Sequence, residues 1–209
     1  MEKEKLIKKL IRYGYLSSPE VIEAMRKVPR ELFIPEREQK YAYADTPLEI
    51  GYGQTISAPH MVAIMAEALD IKEDSKILEI GTGTGYHAAI VAKIAKKGHV
   101  YTIERVKELA EKARENMEKL DIKNVTVIEG DGSAGLAEYA PYDRIYATCA
   151  APSISPLLVK QLAENGKMLV PVGRTFCRLV LVEKNDEIKE KDLGGCAFVP
   201  MIGKEGYDG

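Results

Sequence analysis

Apolar positions recur at helical spacing in the first third of the chain, then give way to short strand-like runs. Leu6, Leu10 and Tyr13 predict a helix over 4–13, and Val21, Ile22 and Met25 a second over 19–28. Ser18 ahead of Pro19 is a start signal for that second helix, since proline suits the first helical position. Pro29 and Pro35 punctuate a turn around Leu32, Phe33 and Ile34. Residues 41–57 are rich in Gly, Tyr and Thr and show no clear period. A long irregular stretch within a compact domain is often functional. Met61, Ile64, Met65 and Leu69 then return the pattern to helix over 58–69.

From Lys76 onward strands and helices alternate. Strands are predicted at 76–80, 99–103, 125–129, 142–147 and 167–172, and helices at 86–96, 106–120 and 155–163. That order predicts an α/β fold with a doubly wound, mostly parallel sheet. After Gly173 the rhythm changes: Cys177–Glu183 and Gly195–Met201 are strand-like runs joined by a charged turn, which predicts an antiparallel pair at the sheet edge. With 209 residues the chain fits one domain, 1–70 forming a helical and loop extension and 71–209 the core.

Residues 77–85, Ile-Leu-Glu-Ile-Gly-Thr-Gly-Thr-Gly, are an apolar strand broken by glycines ahead of a helix. Gly81, Gly83 and Gly85 permit positive φ and close approach of a ligand to the backbone. Strand, glycine turn and helix in that order build a nucleotide pocket at the carboxyl end of a parallel sheet. Glu104 ends the next strand, where an acid accepts hydrogen bonds from a ribose diol. Asp131 lies on the Gly130-Asp131-Gly132 turn after the third strand, placed to accept from an adenine amine. As plain loop acids, Glu104 and Asp131 would not both fall at the ends of successive βα units. Dinucleotide sites favour Gly-x-Gly-x-x-Gly for a pyrophosphate. Here the spacing is Gly-x-Gly-x-Gly and Glu79 precedes it, a carboxylate that repels pyrophosphate and attracts an amine. An NAD-dependent oxidoreductase and a non-catalytic adenosine-binding module are the competing readings.

Net charge is −2, with Lys and Arg dispersed, whereas a nucleic-acid footprint is basic and clustered. No apolar run reaches membrane-spanning length, and the Lys- and Glu-rich start predicts no secretory signal. Cys149, Cys177 and Cys196 have no metal spacing and suit reduced thiols in a cytoplasm. Three histidines without clustering give no expectation of a catalytic metal.

The glycine turn with Glu79 resembles the first motif of Rossmann-like S-adenosylmethionine-dependent methyltransferases. Gly53-Gln54-Thr55-Ile56-Ser57, Pro59-His60-Met61, Leu78 to Tyr86, Gly130-Asp131-Gly132 and Pro171-Val172-Gly173 follow in order over most of the chain. Together they resemble the protein-L-isoaspartate (D-aspartate) O-methyltransferase family. The resemblance implies methyl transfer from S-adenosylmethionine to the free α-carboxylate of L-isoaspartyl, and also D-aspartyl, residues in damaged proteins. It implies Ser57 as the active-site residue. Thr55, Ile56, His60, Glu79, Gly81, Thr82, Gly83, Gly85, Glu104, Arg105, Asp131 and Gly132 become the expected cofactor contacts, with S-adenosylhomocysteine as product. Expected partners are isoaspartyl proteins and peptides as substrate, with neither nucleic acid nor membrane, and the chain is expected to be a cytoplasmic monomer. Ser57 also stands at a helix start, where its hydroxyl would serve as a cap. His60 lacks an evident orienting acid, which argues against a Ser–His nucleophile pair. Two positions depart from the family pattern: Glu49 replaces a usual proline and Asn165 a usual glycine. In the family the tail after Met201 helps cover substrate and cofactor; here it is short.

Overall fold

The computed structural model describes residues 2–174 and 176–208. Helices α1 (Glu2–Arg12), α2 (Pro19–Lys27) and α3 (Pro59–Leu69) precede the sheet. Strands β1 (Leu48–Gly51) and β2 (Gln54–Ile56) form a hairpin between α2 and α3. The core follows as β3 (Lys76–Ile80), α4 (Tyr86–Ile94), β4 (His99–Glu104), α5 (Lys107–Lys119), β5 (Val125–Glu129), β6 (Tyr142–Ala147), α6 (Pro156–Gln161), β7 (Leu162–Val172), β8 (Cys177–Lys184) and β9 (Ile188–Cys196).

Seven strands pair in the order β5-β4-β3-β6-β7-β8-β9. β3 to β7 are parallel, and β8 and β9 add antiparallel. Because strand side chains alternate faces, Ile77, Tyr146, Leu169 and Leu181 join one apolar cluster while Leu78, Ile80, Ile145, Met168 and Val182 join another. The first cluster packs under α1 to α5 and the second under α6. Both faces are therefore covered, as a parallel sheet requires. Leu78 is wholly buried, and truncating such a side chain to alanine removes about 2–5 kcal/mol of stability. From β3 the chain builds outward in both directions, so a crevice opens at the carboxyl ends of β3, β4 and β6.

Two sequence expectations are corrected. Residues 41–57 are not wholly irregular: Gly51 pairs with Gln54 around Tyr52 and Gly53, whose φ angles of 55° and 69° make a two-residue hairpin turn. The second strand of the C-terminal pair is Ile188–Cys196, not Gly195–Met201. Its charged residues read as a turn, yet Lys189, Glu190 and Lys191 pair with Glu183, Val182 and Leu181. An exposed edge strand draws its ladder from backbone alone, and charges there block further pairing. Ser18 does precede α2, but its hydroxyl donates to Glu67 Oε2 at 2.6 Å instead of capping the helix. Asn165 holds φ of 60°, the left-handed conformation that accounts for glycine being usual there.

Candidate functional site

The crevice is a cleft of about 880 Å³, its open mouth included. Its floor comes from β3 and the glycine turn. Gly81 at φ 93° leaves no room for a side chain, since a Cβ there would lie 2.5 Å from Thr148 Oγ1. At Gly83 a Cβ would meet Ile50 of the β1–β2 hairpin at 3.3 Å. Gly85 does not line the cleft. A Cβ on it would lie 2.6 Å from Met117 Cε of α5, so this glycine lets α4 start close against its neighbour helix.

Glu79 is fully buried beneath this turn. Its carboxyl accepts from Thr102 Oγ1 at 2.5 Å and Tyr146 OH at 2.9 Å. Thr102 Oγ1 in turn lies 2.6 Å from Thr82 Oγ1. Burial outweighs both hydrogen bonds and pushes the Glu79 pKa up to about 8, with the nearby Glu104 adding to the rise. At neutral pH the free protein thus holds a mostly protonated acid in the wall of an open cleft. Glu104, also buried, accepts from Gly83 N at 2.8 Å and Val106 N at 2.9 Å. It ties the glycine turn to the β4–α5 loop while still facing the cleft.

The mouth is built from the hairpin and the tail. Thr55, Ile56 and Ser57 line it, as do Val199, Pro200, Met201 and Ile202. Ser57 is no cap: the residue before α3 is Ala58, and the Ser57 hydroxyl bonds no other described residue. Asp45 does the capping instead, its Oδ1 accepting from His60 N at 2.9 Å. The same oxygen lies 2.9 Å from His60 Nδ1, so the orienting acid absent from the local sequence is supplied from 15 residues upstream. His60 does not line the cleft; its ring packs against Tyr15 with centroids 5.6 Å apart. The Ser57 loop is anchored by Arg30, which is wholly buried. Arg30 Nη1 donates to Ser57 O at 2.6 Å and Nη2 to Thr46 O at 3.1 Å.

Asp131 also stands outside the lining, although Gly130, Gly132 and Ser133 are in it. Its carboxylate accepts from Ser133 N at 2.8 Å and Lys204 N at 2.9 Å, and Ser133 Oγ accepts from Glu205 N at 3.0 Å. The short tail is therefore latched across the turn, with hydrogen bonds from Lys204 and Ser133 holding the Asp131 pKa below its ordinary value against the effect of burial. Cys149 lines the cleft, but burial and the acids Glu104 and Glu79 push its pKa up to about 12, so it is no nucleophile. Of the residues expected from sequence, Ser57, Thr55, Ile56, Glu79, Gly81, Thr82, Gly83, Glu104, Arg105 and Gly132 converge on one cleft. His60, Gly85 and Asp131 do not line it. Arg30, Asp45, His87, Thr102 and Tyr146 were missed, because nothing in their local sequence shows that they meet in space.

A cleft with a buried acid, a glycine cradle and a ribose-type acid fits a cationic adenosine ligand better than a phosphate. The family model for protein-L-isoaspartate(D-aspartate) O-methyltransferase matches residues 1–206. A protein-L-isoaspartate O-methyltransferase of Methanococcus aeolicus is 54% identical over 98% of this chain and 95% of its own. The enzyme of that name from Methanothermobacter thermautotrophicus is 52% identical over 99% of this chain and 97% of its own. Among solved structures, a protein-L-isoaspartate O-methyltransferase superposes with a TM-score of 0.88 at 31% identity, over 98% of this chain and 67% of that one. A putative one from Plasmodium falciparum, in complex with S-adenosyl-L-homocysteine, does so with 0.82 at 30% identity, over 95% of this chain and 97% of that one.

Proposed function

Since this chain belongs to the protein-L-isoaspartate (D-aspartate) O-methyltransferase family, we propose that its cleft holds S-adenosylmethionine on the floor and an isoaspartyl peptide at the mouth. The chain is an S-adenosylmethionine-dependent protein-L-isoaspartate O-methyltransferase, and it esterifies the free α-carboxylate of isoaspartyl residues. The observation that carries the assignment of roles is the state of Glu79. A buried, largely neutral acid facing a cleft gains a favourable partner when an ammonium group arrives.

When bound, the donor supplies an electrophilic methyl on a sulfonium. Glu79 would pair with its ammonium, Glu104 would accept from its ribose hydroxyls, and the backbone of Gly81 and Gly83 would lie against it. Arg105, Gly132 and the latched tail would enclose the adenosine end. The substrate carboxylate is already ionised near pH 7, so no general base is needed. Ser57 would donate its free hydroxyl to one carboxylate oxygen, fixing the other in line without the quenching effect of an ion pair. The first turn of α3 gives that anion little help, because Asp45 already occupies it. Arg30 holds the Ser57 backbone in place, and partial desolvation of the carboxylate against the cleft wall would sharpen the nucleophile.

Further parts of this reading are action as a monomer in the cytoplasm and recognition of flexible peptide segments without nucleic acid. Free thiols at Cys149, Cys177 and Cys196 support a reducing compartment. Dispersed Lys and Arg support a non-nucleic substrate.

Labelled S-adenosylmethionine offered with matched isoaspartyl and aspartyl peptides tests the whole reading. Selective labelling of the isoaspartyl peptide, released by mild base, is expected. Equal labelling of both peptides, or of neither, overturns it.

A further inference from the structure

His87 carries an energetic cost that no other described residue offsets. It is 5% exposed, and neither ring nitrogen has a hydrogen-bond partner among the described residues. Burial alone pushes its pKa down to about 3, so the ring is neutral and offers one N–H donor. Buried polar atoms are ordinarily paired, and an unpaired one disfavours the fold. A ligand that accepts its N–H would offset that cost.

Its position says which function. His87 belongs to the cleft wall, on the second residue of the nine-residue α4, where helix N–H groups create a positive potential. Its ring centroid lies 4.6 Å from that of Tyr146, whose hydroxyl donates to Glu79. Glu79 marks the ammonium end of the donor under the reading above, on which this inference rests. In an α-amino acid the ammonium and carboxylate sit on one carbon, so the carboxylate must fall beside Glu79 as well. Two side-chain hydroxyls nearby are committed: Thr82 Oγ1 is paired with Thr102, and Thr84 Oγ1 donates to Phe33 O at 2.7 Å. Arg105, the one Lys or Arg among the described lining residues, is exposed and follows the ribose acid Glu104.

We propose that His87 binds the α-carboxylate of the donor's methionine moiety through a ring N–H, so that Glu79 and His87 together read the amino-acid zwitterion. A neutral donor suits this place, since a second full charge beside Glu79 would itself need burial.

Titration calorimetry on His87→Leu with two ligands tests this. S-adenosylhomocysteine carries the amino-acid end, and 5′-methylthioadenosine shares the adenosine and sulfur without it. The leucine variant is expected to bind S-adenosylhomocysteine about tenfold more weakly and 5′-methylthioadenosine as the wild type does. Its unliganded form is expected to melt no lower than wild type, the orphaned ring having gone. His87→Gln, which keeps a donor, should recover part of the lost affinity, and it serves alone if leucine prevents folding. Wild-type affinity for S-adenosylhomocysteine in His87→Leu, or an equal loss for both ligands, overturns the proposal. Failure of the wild type to bind S-adenosylhomocysteine would instead overturn the cofactor reading beneath it.

Discussion

The floor and the latch of the cleft are both built from polar side chains, buried at Glu79 and His87 but exposed at Asp131, and they differ in what satisfies them. At the latch, Asp131 and Ser133 spend their oxygens on backbone N–H groups of Ser133, Lys204 and Glu205. That region is complete within the protein. At the floor, Glu79 is held mostly protonated and His87 has no partner at all among the described residues. The latch holds shape, whereas the floor keeps a protonated acid and an unpartnered imidazole beside the cleft.

Glu79→Gln should break the contrast with the largest effect. Removing one partner of a buried charge pair costs about 3–5 kcal/mol, so affinity for S-adenosylhomocysteine should fall at least a hundredfold by calorimetry. The unliganded variant should respond in the opposite sense. Below about pH 4.5 Glu79 is protonated in both folded and unfolded chains, and its contribution is flat. Between that value and about 8 only the unfolded chain releases the proton, so wild-type stability falls with rising pH by up to about 1.4 kcal/mol per unit. Chemical denaturation across this window should show that slope in the wild type and its loss in Glu79→Gln.

Gly81→Ala comes next. It forces a side chain into positive φ and against Thr148 Oγ1, at a cost of about 1–3 kcal/mol in unfolding free energy together with weaker ligand binding. Ser57→Ala should cut turnover of an isoaspartyl peptide about tenfold while leaving S-adenosylhomocysteine affinity nearly unchanged. A loss of affinity equal to the loss of turnover would place Ser57 with the floor. Asp131→Asn should have the smallest effect, about 1 kcal/mol, visible as faster amide exchange at Lys204 and Glu205.

The floor was legible in sequence because a buried parallel strand must be apolar and a tight turn must be glycine. Ile77 to Gly85 announces both locally. The edges were not: β9 is exposed, so its pattern carries charge rather than strand period. The mouth was legible only by resemblance, since Arg30 reaches Ser57 across 27 residues and Asp45 reaches His60 across 15. Such contacts leave no periodic trace. The role of His87 was hidden for a different reason, as a histidine in an alanine-rich helix start reads as packing until the cleft beside it is seen.

Proton release on ligand binding tests most directly whether Glu79 stays protonated until the ligand arrives. S-adenosylhomocysteine is titrated into the protein at pH 7 in two buffers of different ionisation enthalpy. The wild type should release roughly one proton per site, as Glu79 ionises to meet the ammonium, and Glu79→Gln should release none. Tight binding by the wild type with no proton released would contradict the account.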